Sequence, residues 1–565
     1  MNISRRDFLK GGAALAATAA VTGLGVSAFA DDAPAAEAAA SWRVAPAPIP
    51  ESEIAETLDC DILVVGLGYS GIPATRAAAE ANPDLHIIAI DKLFEEQHPY
   101  HGHDFGHINS KQLEKLGVAK VDPIEFMNNW QVMSGNKSNP ALVREFAFKS
   151  GEALDWFFEA VSEEDLALGR VSFGVEGEQT VHDLNTGILN YTGCIQFNAA
   201  REDGTHLDGQ DLLWQNTAYI RANCPNADLY FNTSAEQAVM DGEKFAGIIA
   251  KREDGSYVKI LAKKTILASG GFGANKEMCD DLLPDVNYLT DENDKEVLSL
   301  KDQDGIGIRL ATWAGGRMES GPVPTMGFDT VQAPKALLTL WLDENGERFS
   351  NEVFAGPEFT GFIIARLCRR MVVSVFDSDL DKMLNTNLPG HRAYEPTEAN
   401  NAQVKQLCAD AAAAKEAGVD DGRGNIFYCA DDLETLADYI GYEGNAKENF
   451  IASVARYNEL CAAGRDEDFG KDPRFLHPIV AGPFYAAINV PRPGSDLVTV
   501  GGMLTDKNQQ VLNMARRPIE GLYATGNCCG MRFGTDYITP IPGVSLGMAI
   551  TLGRSVGLHC AEELS

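Results

Sequence analysis

The chain has 565 residues, 45% hydrophobic and 23% charged, a globular balance that buries enough apolar surface to exclude disorder as its main state. Its 54 Gly and 25 Pro follow no fixed period, which excludes collagen-like or low-complexity material. With 81 acidic against 47 basic residues the net charge is −34, a surface that repels phosphate backbones and sets nucleic acid aside as a partner.

Residues 1–30 join a charged start to an Ala- and Gly-rich apolar run, ending in the small-x-small triplet Ala28-Phe29-Ala30. Ser4-Arg5-Arg6-Asp7-Phe8-Leu9-Lys10 looks like a twin-arginine export signal. It predicts passage through the Tat machinery, cleavage after Ala30, and a periplasmic or cell-surface location; an uncleaved anchor is the alternative. Residues 1–30 hold three basic and one acidic residue, so the remainder carries −36. Residues 31–57, rich in Ala, Pro and Glu, read as a flexible linker. No later segment reaches 18 unbroken apolar residues, so no further spanning helix is predicted.

Asp61-Ile62-Leu63-Val64-Val65 is the pattern of a parallel strand buried on both faces. It runs into Gly66-Leu67-Gly68-Tyr69-Ser70-Gly71, then an Ala-rich helix, then a second strand Ile87-Ile88-Ala89-Ile90 ending in Asp91. Strand, G-x-G-x-x-G, helix, strand and acid make a complete dinucleotide-binding fingerprint. Gly66 permits the tight turn, Gly68 lets backbone approach a diphosphate, and Gly71 lets helix pack on strand. The helix start offers free N–H groups to phosphate, and Asp91 accepts from ribose hydroxyls.

His98, His101, His103 and His107 then crowd into ten residues. A metal site and ordinary loop packing are the open readings of the residues themselves. Lys264 to Gly273 is a strand ending in small residues, a pattern repeated at Gly521-Leu522-Tyr523-Ala524-Thr525-Gly526-Asn527. Helical runs follow at 401–418 and 448–464, and Gly543-Val544-Ser545-Leu546-Gly547 opens a helix reaching Glu563. No Cys-x-x-Cys occurs among the 11 cysteines, so c-type haem and ferredoxin-type clusters lack their spacing. The adjacent Cys528 and Cys529 read as small packing residues, with a redox-active pair as the alternative.

With Asp304-Gly305-Ile306-Gly307, Ala314-Gly315-Gly316, Asn345 to Glu352 and Thr499-Val500-Gly501-Gly502-Met503, these segments are together specific. Over residues 58–565 the chain resembles the flavoprotein superfamily of soluble fumarate reductases, succinate dehydrogenase flavoprotein subunits and 3-ketosteroid dehydrogenases. The resemblance implies FAD and an α/β architecture, with a Rossmann-like domain split into 58–316 and 488–565. Between them, 317–487 would form an inserted α+β capping domain over the substrate. It further implies that FAD is held by Gly66, Gly68, Tyr69, Ser70, Gly71, Asp91, Lys92, Gly106, Asn109, Ser110, Val239, Ala268, Ser269, Gly270, Asn527, Ser545 and Leu546, and that the histidine loop wraps the FAD phosphates and ribityl chain, through hydrogen bonds or by covalent attachment to a histidine.

Hydride from a flavin N5 enters a carbon–carbon double bond only if a neighbouring carbonyl or carboxylate takes up the developing charge and an acid supplies the proton. Here the sequence departs from its relatives. Ser495-Asp496-Leu497-Val498 lacks the fumarate reductase His, Asn351 to Gly356 lacks the proton-donating Arg or Tyr, and Pro540 stands where the clamp arginine would. Arg532, Tyr537 and Thr539 remain as catalytic candidates in the loop before the last helix. Tyr537 reads as proton donor or packed aromatic, Arg532 as anion holder or FAD-pairing group, and Arg348 as structural. The expected activity is reduction of an activated double bond in a small unsaturated organic substrate, an enoate, aryl acrylate or enone, in anaerobic respiration. A separate cytochrome- or flavin-type carrier would deliver the electrons. Desaturation of a ketone substrate, or flavin binding without turnover, are the alternatives.

Overall fold

The computed structural model describes residues 41–95, 102–172, 181–183, 189–283, 303–326, 339–353, 371–386, 394, 396–422, 425–489 and 498–565. The apolar run predicted as a strand forms β1 (Ile54–Val65), whose last four residues are buried. Parallel strands flank it: β2 (Ile87–Ile90) and β3 (Ala227–Tyr230) on one side, β6 (Tyr257–Leu267) and β7 (Pro518–Ala524) on the other. The register brings Val65 level with Ile90 and Leu267, Ile90 with Tyr230, and Leu267 with Ala524. All five carboxyl ends therefore finish at one edge, where ligands of open parallel sheets bind. An antiparallel meander, β4 (Thr233–Asp241) and β5 (Lys244–Arg252), continues the sheet from the early half of β6.

Helix α1 (Gly71–Ala81) follows β1 on a turn that only glycine permits. Gly66 has φ +103°, and a Cβ there would stand 2.6 Å from the Ala268 carbonyl oxygen. A Cβ on Gly71 would collide with the Gly66 carbonyl. The last helix, α2 (Val544–Glu562), packs along α1 through Gly553 against Ser70 and Gly557 against Ala74, two pairs at i, i+4. Backbone thus meets backbone, and the start of α2 is carried over the sheet edge.

The inserted lobe is built on a five-stranded antiparallel sheet in the order 340–342, 372–376, 484–489, 425–430 and 419–420. Helices Glu398–Ala414, Leu433–Ile440 and Asn445–Ala463 supply its apolar cores. Two boundaries differ from expectation. The last lobe strand runs to Asn489, past 487, because it pairs with 372–376 on one side and 425–430 on the other. Thr325–Met326 pairs with Val498–Thr499, so the chain after 316 stays with the first domain before crossing. Arg348 is structural: it grips Glu352 at 2.9 Å through two nitrogens and Asp466 at 2.8 and 3.1 Å. Lys471, wholly buried like Glu352, lies 3.4 Å from the same carboxylate.

The linker reading of 31–57 also changes. Trp42 is 3% exposed; its Nε1 donates to Asp281 at 2.9 Å and its carbonyl accepts from Trp313 Nε1 at 3.0 Å. Tryptophan buries a large apolar face and finds a partner for its one donor. From Ser41 the chain is therefore docked, and β1 starts at Ile54, ahead of the predicted boundary.

Candidate active site

At the carboxyl edge of the parallel sheet lies a cleft with a mostly apolar lining and a few convergent polar groups, the make-up of a small-molecule site. Twelve predicted residues line it: Gly66, Gly68, Tyr69, Ser70, Asp91, Lys92, Ala268, Ser269, Gly270, Asn527, Ser545 and Leu546. The turn after β1 gives the floor. A Cβ on Gly68 would meet nothing within 4 Å, so this glycine faces open space. Asp91, at the end of β2, is held by two backbone donors, Leu67 N at 2.7 Å and Leu93 N at 2.8 Å. Its carboxylate stands at the lip of the cleft, where a ribose of a dinucleotide lies in folds of this kind. Lys92 pairs with Asp304 at 2.8 Å.

Five predicted cofactor residues do not line the cleft. Gly71 packs beneath Gly66, and Gly106 lies under the start of α2, where a Cβ would stand 2.6 Å from Val544 N. Asn109, at φ +62°, clamps the Val121 backbone through both ends of its amide, at 2.8 and 2.9 Å. Ser110 caps the helix Lys111–Lys115, its Oγ accepting from Leu113 N at 3.0 Å. Val239 is too far along β4, which reaches the cleft through Thr233, Ser234 and Ala235 instead.

The catalytic candidates lie behind the cleft wall. Arg532 is wholly buried; its Nη2 donates to Asn527 Oδ1 at 2.7 Å and to the Val500 carbonyl at 2.9 Å. Tyr537 is buried against Phe533, with ring centroids 4.9 Å apart, and its hydroxyl oxygen accepts from Ser545 N at 3.3 Å. Thr539 is buried two residues on. The loop thus reaches the cleft through Asn527 and the first turn of α2 and does not open into it.

Of the histidines, His98 and His101 lie outside the described residues. His107 is buried, bonded to the Phe105 carbonyl at 2.8 Å and Ser110 Oγ at 2.7 Å, and burial lowers its pKa to about 4. Among the described residues no three His, Cys, Asp or Glu gather as metal ligands. Cys528 and Cys529 are buried free thiols, each pushed up to about 11 by burial. The predicted sites at 495–497 and 354–356 also lie outside the described residues.

Sequence reading missed Gln303, which lines the cleft 1% exposed and whose Oε1 has no partner among the described residues. It precedes Asp304-Gly305, the one local signal for it. An orphaned acceptor, an open glycine floor and an acid at the end of the second strand fit a dinucleotide carrying amide N–H and hydroxyl donors.

Comparison with known proteins agrees with the geometry. Residues 61–546 match the FAD binding domain family, and residues 2–22 match the twin-arginine translocation pathway signal sequence. A vinyl phenol reductase of Lactiplantibacillus plantarum is 29% identical over 534 residues, covering 89% of this chain and 96% of its own. A fumarate reductase (cytochrome) of Shewanella frigidimarina is 25% identical over 517 residues, covering 89% and 77%. The solved 3-ketosteroid Δ4-(5α)-dehydrogenase of Rhodococcus jostii shares the fold, with TM-score 0.64, 18% identity and coverage of 91% and 99%. Among the described residues no helix is long and apolar enough to cross a membrane. The chain belongs to the FAD-binding-domain family of flavoproteins and is an exported FAD-dependent oxidoreductase.

Proposed function

We propose that the protein reduces an activated carbon–carbon double bond of a small organic substrate, an enoate, aryl acrylate or enone, in anaerobic respiration. The observation that carries this reading is the convergence at one end of the cleft of the α2 start, the Tyr537 hydroxyl on Ser545 N, and Arg532 on Asn527. Bound along the cleft, FAD supplies hydride from N5 to one alkene carbon.

The chain's own residues hold and polarise. Gly66, Gly68 and the α1 start cradle the diphosphate, with Ser70 beside them, and Asp91 accepts from ribose hydroxyls. Hydride arrival drives negative charge onto the conjugated carbonyl. The α2 N-terminus and the Arg532 guanidinium lower that charge's energy without reorganising, because both are fixed in place. Tyr537 is the acid assigned to the other carbon; its hydroxyl lies behind the wall at Ser545, so proton delivery requires that wall to part when substrate binds, and Thr539 lies at the same buried end. The near full-length match to a vinyl phenol reductase, with Pro540 in place of a clamp arginine, favours an aryl-conjugated acceptor over a dicarboxylate. Electrons come from a separate carrier of cytochrome or flavin type.

Anaerobic assays with reduced viologen against enoates, aryl acrylates and enones test this reading. Oxidation of viologen with at least one of them is expected; dye reduction by a saturated ketone alone reverses the direction, and no turnover either way removes the enzyme. Tyr537→Phe is expected to lower kcat about 10²-fold while flavin absorbance is retained. An unchanged kcat takes Tyr537 out of the acid role.

A further inference from the structure

Glu319 is a part-buried acid that the reading above leaves unused. It follows Met318, which bridges antiparallel to Met503, and its own N–H donates to the Gly502 carbonyl at 3.0 Å. Backbone closes around its carboxylate. Oε1 accepts from Gly502 N at 2.8 Å, and Oε2 from Met531 N at 2.8 Å. A Cβ on Gly530 would stand 3.0 Å from its Cδ, and one on Gly501 would collide with Oε1. Met531 holds φ +55°, a left-handed conformation that costs a non-glycine residue energy and persists only where its surroundings impose it. Its N–H is taken by Glu319 and its carbonyl by Asn139 N at 2.6 Å.

Arg532 comes next in the chain. Its Nε donates to the Cys529 carbonyl at 3.0 Å and its Nη2 to Val500 and Asn527, while Nη1 has no partner among the described residues. No described carboxylate lies within ion-pair distance of the guanidinium, and the acid whose charge bears on it is Glu319. Burial raises Glu319 to about 7, against the pull of its two N–H donors and of Arg532. Among the described residues the other titratable group bearing on Glu319 is Cys529, a neutral thiol; Tyr537 bears on Arg532, and the packed stretch Val498–Met503 presents no titratable side chain. The space behind the cleft wall is therefore singly positive with Glu319 protonated and neutral with it ionised.

We infer that Glu319 is a positioning residue that stores a proton behind the cleft, acting through Arg532 and Asn527, and that it takes up this proton when a flavin in the cleft gains negative charge. The inference rests on the cofactor reading above. Two electrons from the donor carrier and one proton from solvent enter the ring system, which then carries one negative charge. A second proton from solvent forms an O–H bond on the Glu319 carboxylate, and no covalent bond breaks. Arg532 then keeps its positive charge uncompensated beside the cofactor.

Reduction-induced infrared difference spectra of the holoenzyme at about pH 7.5 test this, because a carboxyl C=O band marks a protonated acid. Protein labelled with ¹³C-glutamate is expected to show, on reduction, a carboxyl band that shifts with the label, which flavin carbonyl bands do not. The band is expected to vanish in Glu319→Gln. In Glu319→Asp it should leave the glutamate label and appear under an aspartate label, so the aspartate variant decides if the glutamine variant loses flavin. A native spectrum without a label-shifted carboxyl band overturns the inference, and so does a band that persists in both variants. A native protein holding no flavin yields no spectrum at all, which separates failure of the cofactor reading from failure of this one.

Discussion

His107 shows how burial and two hydrogen bonds fix a charge state. Phe105 offers only a carbonyl, so Nδ1 carries the hydrogen and Nε2 accepts from Ser110, whose Oγ in turn accepts from Leu113 N. Protonating Nε2 would turn the Ser110 hydroxyl hydrogen away and bury a charge beside Phe105 and Phe158, and that burial is what lowers the pKa. The folded pKa of about 4 lies below the ordinary 6.5, so the unfolded chain binds the proton first. The histidine's contribution to stability is full above about pH 6.5 and is lost as pH falls toward 4. Denaturant midpoints between those values are expected to fall less steeply in His107→Gln than in the native protein; identical slopes would show that His107 is not the group responsible. Glu319 has the opposite sign, its pKa being raised, and its ionisation costs stability as pH climbs from 4.5 to about 7. The two residues differ in legibility as well. His107 stood out within a local cluster. Glu319 takes its meaning from Gly502 and Met531, 183 and 212 residues away, and no pattern around it in the chain announces that. Gln303 and Thr233–Ala235 were hidden for the same reason, whereas Gly66, Gly68 and Asp91 were visible because turn, strand and acid lie close in sequence.

Among the elements, α2 depends on how near α1 it can come. Gly553 and Gly557 face the carbonyls of Ser70 and Ala74, and a Cβ at either position would overlap backbone. Gly557→Ala is expected to cost about 1–3 kcal/mol, the usual penalty of overpacking. Because the shift displaces the α2 start beside Ser545 and Leu546, flavin should also wash out faster on dilution. Thermal melting and retained yellow colour read the two effects, and a variant matching the native protein in both would show that the helices can separate without loss. The core strands and both flanking helices followed from apolar runs and glycine spacing. The lobe's sheet did not: its strands 340–342 and 419–420 are two or three residues long, too short for periodicity to reveal. Its ionic centre of Arg348, Glu352, Asp466 and Lys471 spans over a hundred residues of chain, so only Arg348's structural role was visible locally.

Across the whole molecule the excess of 81 acidic over 47 basic residues acts at long range. A basic carrier protein is drawn toward such a surface, and screening shortens that reach to about 8 Å at physiological salt. The rate of reduction by a basic cytochrome is therefore expected to fall by about tenfold or more between low and high ionic strength, while reduction by a neutral dye stays constant. Equal salt dependence for both donors would dismiss steering. The docking of Trp42 bears on a different event, the trimming of the exported chain. Its bonds to Asp281 and Trp313 tie the amino end to the helices Lys276–Leu282 and Ile306–Trp313, which stand beside the Ser269–Gly270 and Gln303 walls. A cut after Ala30 would remove nothing from this mooring. A peptidase that nibbled past Arg43 would withdraw a wedge from under those walls, so Ser41–Arg43 behave as a keystone and not as a remnant of the leader.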